Sequence, residues 1–194
     1  YYKIRFKDKS RREYWYNGRW EPVKMRVEEE RRLGEDTFLD SVAYTVFGPV
    51  IYDHTFNNDD STLNTSVAMR WTAHDPSNEL LMWMKLNRAK NYDEYADAIK
   101  HFSTPGQNMI FASKTGDIAI WQQGRFPLRW EGQGLYVMPG EDTSYAWKGW
   151  IPQSDNPHVV NPAQGFIQSA NQRPVDSTYP YFIPGDYFTP RGVA

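Results

Sequence analysis

The hydrophobic pattern of the first third of the chain has a period of two, which indicates β-strands. In "REYWYNGRWEPVKMRVEE" the pair Asn17-Gly18 separates two aromatic runs and predicts a hairpin. The charged run "EEERR" predicts a solvated loop or a strand edge. The segments "LDSVAYTVFGPVIYD" and "SVAMRWTA" continue the alternation, with a break at 47–49. The positions predicted to share a face within these segments are Val42, Tyr44, Val46, Val67, Met69 and Trp71.

The middle of the chain changes to a helical pattern. "DPSNELLMWMKLNRAKN" predicts a helix near 80–87, and "NYDEYADAIKHFS" predicts a second one. Asn91 is a good N-cap, and Glu94 stands three residues later, as in a capping box. The apolar stripe of the second helix is interpreted as core packing. It consists of Tyr92, Tyr95, Ala96, Ile99 and Phe102.

The last third contains one clear hairpin, "QNMIFASKTGDIAIWQQG", followed by loops rich in Pro, Gly and Asn. Asn108 lies at the start of the hairpin, and its amide either caps the loop or donates to a developing oxyanion. Arg129 follows the second strand. The alternatives for its guanidinium are a surface salt bridge, the binding of a carboxylate, and bracing of the Asn carbonyl. The local pattern leaves these alternatives open.

Composition excludes several classes of function. A net charge of −2 argues against nucleic-acid binding, and no apolar run is long enough to predict a membrane span. The absence of cysteine excludes thiol catalysis, disulfides and zinc–thiolate sites. No metal site is predicted, because no histidine pair has ligand spacing; the histidines are His54, His74, His101 and His158.

Aromatic residues make up 16% of the chain. They predict either a Trp- and Tyr-rich β core or an aromatic-lined pocket for an acyl, aryl or sugar group.

The chain carries no recognisable nucleophile motif: GxSxG, SxxK, HExxH, a P-loop and GxGxxG are all missing. The carboxylate pairs Asp59-Asp60 and Glu141-Asp142 lie in turn-like stretches and support a glycosidase only weakly. Judged from its residues alone, the chain contains groups suited to stabilising a transition state but no recognisable nucleophile.

The chain resembles the penicillin amidase (penicillin acylase) family of N-terminal-nucleophile hydrolases. "YNGRW" followed by "TVFGPVI" is similar to a strand pair of that family, and "RWTAHDPSNELLMWMKLNRAKNYDEYADAIKHF" to its helical segment. "PGQNMIFASKTGDIAIWQQGRFPLR" and "WKGWIPQSDNPHVVNPAQGFIQSANQRPV" are similar to two further signatures. These segments occur in the family's order and at fitting spacing, which makes the resemblance specific.

The resemblance implies an α+β fold, part of an αββα sandwich with mainly antiparallel strands and one or two helices. It implies that residues 1–194 are a single fragment of the β-subunit catalytic domain, without the nucleophile strand and the C-terminal helical part. In the family, an N-terminal Ser exposed by self-cleavage attacks the amide, and its own α-amine is the base.

Site residues follow from the resemblance by position. Asn108 falls on the family's oxyanion-hole Asn, Arg129 on an Arg that braces this Asn and faces substrate, and Trp71 on a lining position of the acyl pocket. Two departures stand out: Tyr1 is not the nucleophilic Ser, and the family's Asp in "Y-A-D" is Ser113 here.

The resemblance also implies the setting of the reaction. The substrate is a small N-acyl amide (a β-lactam, an acyl-homoserine lactone or another linear amide), and the family includes enzymes of antibiotic biosynthesis. The partners are the α subunit and the rest of the β subunit. The isolated fragment is expected to be inactive and to need no cofactor, with calcium bound elsewhere in the complete protein. The location is the bacterial periplasm or the exterior of the cell.

Two other classes remain in competition with the amidase. A non-enzymatic carbohydrate-binding module predicts a coplanar Trp and Tyr row on one face. An amidase fragment predicts buried Trp residues and unfinished sheet edges. The second competing class is an amidase relative that has lost its activity.

Overall fold

The structure is a computed structural model, and it describes residues 1–53 and 66–185. His54, Asp59 and Asp60 lie outside the described residues. The strands are β1 (Tyr2–Ile4), β2 (Glu13–Tyr16), β3 (Arg19–Pro22), β4 (Lys24–Glu30), β5 (Phe38–Thr45), β6 (Gly48–Tyr52), β7 (Ser66–Ala68), β8 (Gln107–Ala112), β9 (Ile118–Gln123), β10 (Met138–Pro139) and β11 (His158–Val160). The α-helices are α1 (Glu79–Leu86) and α2 (Tyr92–Ile99), and short 3₁₀ helices span Thr72–His74 and Gln153–Asp155.

The contacts divide the chain into two compact units. The first unit comprises Tyr1–His74 and Gln133–Ala146, and the second comprises Asp75–Gly132 and Trp147–Ala194. Strands dominate both units, with two α-helices in the second, so the predicted α+β class is confirmed.

The first unit contains a six-stranded sheet in the order β10-β1-β7-β6-β5-β4 and the separate hairpin β2-β3. All its strand pairs are antiparallel except β1 with β10, as the sequence predicts for a mainly antiparallel fold. The hairpin turn at Asn17-Gly18 is confirmed, because both residues have the positive φ angles (50° and 78°) that this turn needs. The charged run after Arg26 lies mostly on β4, which is an edge strand.

The most buried residues of β5 and β7 alternate with the positions predicted to share a face. Ala43 and Ala68 are completely buried, whereas Val46 is 53% exposed in the turn between β5 and β6. Tyr2 and Phe47 stack with ring centroids 4.0 Å apart and belong to the same core cluster as the two alanines. The predicted period of two is therefore observed, since Val42 and Tyr44 flank the buried Ala43, and Val67 and Met69 flank the buried Ala68.

Both helices of the second unit begin as the sequence predicts. The Asn78 side chain accepts from the Leu81 N–H at the start of α1, and the Asn91 side chain accepts from the Glu94 N–H at the start of α2. The Glu94 side chain also accepts from the Lys90 N–H at 2.8 Å. The second hydrogen bond of the capping box is therefore made with the residue before the N-cap and not with the N-cap itself.

The helices of this unit cover one face of its three-stranded sheet, ordered β11-β9-β8. Tyr95 and Ile99 of α2 pack against Trp121 of β9, with Met109 and Phe111 of β8 at the rim of this cluster. The predicted apolar stripe of α2 is thus core packing. Alternation then places the intervening residues of β8 and β9 on the opposite face.

Gly48 lies where β6 and the chain after β7 come very close to each other. Its φ is +94°, and an added Cβ lies 2.4 Å from the Met69 carbonyl oxygen. Gly116 has nearly the same φ, +97°, with nothing within 4 Å of an added Cβ. We expect Gly48→Ala to lower the free energy of unfolding by about 3 kcal/mol or more and Gly116→Ala by about 1 kcal/mol. Urea unfolding of the two variants measures the difference, and equal losses would show that the close approach has no energetic weight.

Candidate functional site

Asn108 lies on the sheet face that the helices do not cover. Its Nδ2 donates a hydrogen bond to Ser169 Oγ at 2.7 Å, across 61 residues of chain. Asn108 and Ser169 come from the two signatures of the last third, the hairpin and the "NPAQGFIQSANQRP" block. The structure therefore joins two segments that the sequence presents separately.

The strand register gives Asn108 a polar neighbour. In the β8–β9 ladder Asn108 pairs with Gln122. The Gln122 N–H donates to the Pro157 carbonyl at 2.8 Å, on the other side of β9. The pair is therefore non-hydrogen-bonded, the arrangement in which opposite Cα atoms come to about 4.5 Å and side chains lie closest.

Buried amides hold the far end of β9 in place. Gln123, which is 1% exposed, donates to the Phe102 carbonyl at 3.1 Å and accepts from Gln153 Nε2 at 3.0 Å. Asn156, also 1% exposed, donates to the Gly124 carbonyl at 3.0 Å. Buried amides bonded in this way have few alternative positions, so the strand bearing Gln122 is well fixed.

The approach to β8 is tied to the first helix of the unit. Glu79 at the start of α1 accepts from the N–H groups of Ser103 and Thr104 at 3.2 and 3.3 Å. The Ser77 hydroxyl, with these N–H groups, holds the pKa of the Glu79 carboxyl below its usual value. The carboxylate is therefore charged at neutral pH and anchors the loop just before Asn108.

A cleft of about 270 Å³ opens beside Asn108. Its floor is the uncovered face of the sheet, and its wall is the loop after β11. Apolar groups alternate there with side-chain amides and one guanidinium. The lining residues are Asn108, Ile120, Gln122, Pro157, His158, Val159, Gln164, Phe166, Ile167, Gln168, Gln172, Arg173 and Pro174.

Arg129 lies in the same unit but lines a different cavity. Its guanidinium carbon is 5.5 Å from the Trp147 ring centroid, a cation–π contact, and its Nε is buried. The cavity, of about 500 Å³, is also lined by Arg173, which belongs to the wall of the Asn108 cleft as well. Arg173 therefore joins the surroundings of Asn108 and Arg129. The predicted bracing of Asn108 by Arg129 stays a prediction.

The third predicted site residue belongs to the first unit. Trp71 is 48% exposed and meets His74 edge-on, with ring centroids 5.6 Å apart. Its role in an acyl pocket stays a prediction. The Glu141-Asp142 pair lies in a turn, where the Asp142 carboxylate accepts from the Ser144 N–H at 2.7 Å.

The described residues contain neither a candidate metal cluster nor a candidate membrane-spanning helix. In the ranges 1–53 and 66–185, no cluster of three or more His, Cys, Asp or Glu side chains is arranged to hold a metal ion. No helix among the same residues has the length and apolar character needed to cross a membrane.

The residues around Asn108 that sequence reasoning missed are Ser169, Gln122 and Arg173. Ser169 and Arg173 lie inside the quoted "QSANQRP" block. The motif was therefore recognised, but nothing in the sequence indicated that these two residues lie near Asn108. Gln122 could have been found from its position, because counting outwards along both strands from the hairpin turn places it opposite Asn108.

The arrangement around Asn108 suits the binding of an anionic oxygen. Nδ2 carries two N–H groups, and one of them donates to Ser169. This bond fixes the plane of the amide and leaves the second N–H to donate elsewhere. A fixed side-chain N–H is the type of donor that stabilises an oxyanion in acyl transfer.

Comparison with known proteins supports the same class. The family model for penicillin amidase matches residues 1–192. The chain therefore belongs to the penicillin amidase family.

The curated relatives are acylases much longer than this chain. An acyl-homoserine lactone acylase QuiP of Pseudomonas fluorescens is 30% identical over 91% of this chain, which spans 22% of the relative. The penicillin G acylase of Escherichia coli is 31% identical over 83% of this chain and 18% of its own length. The chain thus spans about a fifth of the relatives it matches.

A solved structure shares the fold. The thermostable penicillin G acylase from Alcaligenes faecalis superposes with a TM-score of 0.76 at 23% identity, over 94% of this chain and 33% of the solved one. This likeness confirms the predicted fold, that of part of a penicillin acylase.

Two tyrosines close the cavity that contains Arg129. The Tyr179 hydroxyl donates to the Asp155 carbonyl at 2.8 Å, and the Tyr181 hydroxyl donates to the Asp155 carboxylate at 2.6 Å. Burial, with the Asp155 charge and Tyr181 adding to it, raises the pKa of Tyr179 to about 12. The neutral phenol of Tyr179 is therefore stabilised by the folded protein.

This pKa predicts an alkaline loss of stability. Because the folded pKa lies above the ordinary value near 10, the stabilisation is complete below about pH 10 and is lost as the pH rises towards 12. We expect Tyr179→Phe to reduce the fall in melting temperature between pH 9 and pH 12. Calorimetry at both values measures it, with Tyr136→Phe, at a tyrosine 77% exposed, as the control. An unchanged fall in the Tyr179 variant would contradict the prediction.

Proposed function

We propose that this chain is the oxyanion-stabilising part of an acyl-amide hydrolase, and that Asn108 is its side-chain oxyanion donor. The observation that carries the proposal is the Asn108–Ser169 hydrogen bond, which orients one N–H and leaves the other for substrate. Membership in the penicillin amidase family supports the reaction class. The nucleophile is the hydroxyl of an N-terminal Ser, supplied by a part of the precursor outside these 194 residues.

The proposed reaction has two acyl transfers. The Ser oxygen bonds to the amide carbonyl carbon while its proton passes to the α-amine, and the carbonyl electron pair moves to oxygen. Asn108 donates to this oxyanion. The C–N bond then breaks, and the leaving nitrogen takes the proton from the α-ammonium group. Water attacks the resulting acyl ester, releases the carboxylic acid and restores the Ser hydroxyl.

The other predicted residues serve substrate binding in this proposal. Arg129 lines one cavity together with Arg173, which also lines the Asn108 cleft, and its guanidinium attracts a carboxylate or a carbonyl oxygen of the substrate. Trp71 lines the acyl pocket. The substrate is a small linear N-acyl amide. The acyl-homoserine lactone acylase and penicillin acylase names of the relatives mark the two substrate types to test first.

The proposal includes the setting of the enzyme. Its physical partners are the α subunit and the remainder of the β subunit of one precursor, and the residues 1–194 alone are inactive. We place the complete protein in the bacterial periplasm or outside the cell. A role in antibiotic biosynthesis would follow if the substrate is a β-lactam.

The carbohydrate-binding alternative fits the aromatic geometry poorly. The described tryptophan pairs meet edge-on, Trp15 with Trp20 at 71° and Trp147 with Trp150 at 69°, whereas a sugar platform needs coplanar rings. The converse expectation, that an amidase fragment buries most tryptophans, is met only in part. Only Trp121 is fully buried, and three are more than 40% exposed: Trp71, Trp83 and Trp130.

The first test removes the proposed oxyanion donor. In the complete protein, Asn108→Ala should lower kcat about 10²-fold or more, because the transition state loses one preorganised donor. Asn108→Asp, which keeps the shape and reverses the interaction with an oxyanion, should be at least as impaired. Asn87→Ala, at an exposed Asn after α1, is the matched control. Normal turnover of the folded Asn108 variants would remove Asn108 from the site, and no turnover by the unaltered complete protein would favour the inactive relative.

The second test concerns the anchor of Asn108. Ser169→Ala removes the acceptor of its hydrogen bond and should lower kcat by roughly fivefold, the worth of one neutral hydrogen bond, while KM stays constant. Ser169→Thr retains a hydroxyl and should restore most of the rate. If the alanine and threonine variants lose equal activity, the hydroxyl does not act through Asn108.

A further inference from the structure

The turn of the β8–β9 hairpin contains a carboxylate that the proposed reaction does not use. Asp117 Oδ1 accepts from Asn161 Nδ2 at 3.0 Å, and its Oδ2 accepts from the Thr115 hydroxyl at 3.0 Å. These two bonds hold the pKa of the Asp117 carboxyl below its usual value, so it is charged at neutral pH. The Asp117 N–H donates to the hydroxyl of Ser113, the position at which the family motif has Asp.

Asn161 joins this turn to the loop that follows β11. Its N–H donates to the Ile118 carbonyl, and its Oδ1 accepts from the Ile118 N–H, both at 2.8 Å. With the bond from Nδ2 to Asp117, both ends of the side-chain amide are attached to the hairpin. The next residue, Pro162, has no N–H to continue the pairing, so the chain leaves the sheet at this point.

The loop that starts at Asn161 reaches the other end of the hairpin. Ser169, eight residues further on, accepts the hydrogen bond from Asn108. On β9 the distance to cover runs from Ile118 to Gln122, which is opposite Asn108, and amounts to about 14 Å. Eight residues can extend to about 27 Å. Because the loop is about twice as long as this distance, the place of Ser169 depends on how the loop is attached.

Hydrogen bonds inside the loop connect its start with its end. Near the start, the Gly165 N–H donates to the Pro162 carbonyl at 2.9 Å. Near the end, the Ala170 N–H donates to Gln172 Oε1 at 2.6 Å, and Gln172 Nε2 donates to the Gln168 carbonyl at 3.2 Å. A loop braced in this way transmits a displacement at its start to the serine that binds the Asn amide.

We propose that Asp117 and Asn161 are positioning residues, whose hydrogen bond sets the place of Ser169 and thereby the orientation of the Asn108 amide. The inference rests on the proposed function, because the two residues act through the oxyanion donor named there. Donors at a reacting centre must be held within about 0.5 Å of the productive geometry. A displaced Ser169 therefore lowers kcat, and KM stays constant because the interaction with the oxyanion exists only in the transition state.

The experiment breaks the Asp117–Asn161 hydrogen bond and then restores it with the roles exchanged. In the complete protein, Asn161→Asp keeps the acceptor for the Ile118 N–H but sets two carboxylates against each other. The kcat should fall roughly fivefold, as expected for Ser169→Ala, with KM unchanged. Adding Asp117→Asn lets an amide at 117 donate to the carboxylate at 161 and should restore kcat to within about twofold.

The matched control is Asn17→Asp, which makes the same substitution at an exposed Asn in the hairpin of the first unit. Its φ of 50° is close to the 47° of Asn161, so the two positions place the same demand on the backbone. This control should leave kcat unchanged. Melting temperatures of all variants show whether they are folded. Should Asn161→Asp not fold, Asp117→Ala removes the same hydrogen bond and takes its place in the comparison.

A double variant distinguishes positioning from general support of the fold. Asn161→Asp combined with Ser169→Ala should be no slower than Ser169→Ala alone, because both substitutions act on one hydrogen bond of Asn108. Multiplied losses, a normal kcat in Asn161→Asp, or no recovery on adding Asp117→Asn would each overturn the inference while Asn108→Ala remains impaired. Normal turnover by Asn108→Ala, or none by the unaltered protein, would overturn the proposed function and this inference together.

Discussion

The register between β8 and β9 is the constraint on which the candidate site depends. It places Met109, Phe111 and Trp121 under the helices and Asn108 and Gln122 on the opposite face. Because side chains alternate with a period of two, a slip of one residue would move the apolar set to the wrong face and take Asn108 away from Ser169. The hydrophobic core of this unit and its polar cleft are therefore specified by the same pairing.

Helix packing reinforces this register. The Tyr95 hydroxyl donates to the Met109 carbonyl at 2.8 Å, and the Trp121 indole donates to the Tyr92 hydroxyl at 3.0 Å. Burial raises the pKa of Tyr95 well above its usual value, so its phenol remains a donor throughout the physiological range. Two residues of α2 thus bind one residue of each strand, one of them next to Asn108, and α2 fixes the register from the far side of the sheet.

Local sequence signals predicted the local structure well. Asn17-Gly18, the cap at Asn91 and the hairpin around Gly116 all depend on residues within a few positions of each other. The pattern did not predict which face of the first sheet is buried, since Ala43 and Ala68 share one core cluster with Tyr2 and Phe47, which come from other segments of the chain. Period is a local property of a strand, and its buried face is set by distant partners.

The prediction of the candidate site shows the same difference between local signals and distant partners. Asn108 was singled out by its position at the start of the hairpin and then by its match to a family motif, and the structure adds Ser169 as its partner across 61 residues. Gln122 carried no motif, and only the pairing of two strands places it beside Asn108. An isolated polar residue in a sequence is ambiguous between capping and catalysis, because both need the same donor. The Asn108–Ser169 hydrogen bond narrows this ambiguity, because it shows that one N–H of the amide is bonded to a hydroxyl from a distant loop and not to the backbone of its own loop.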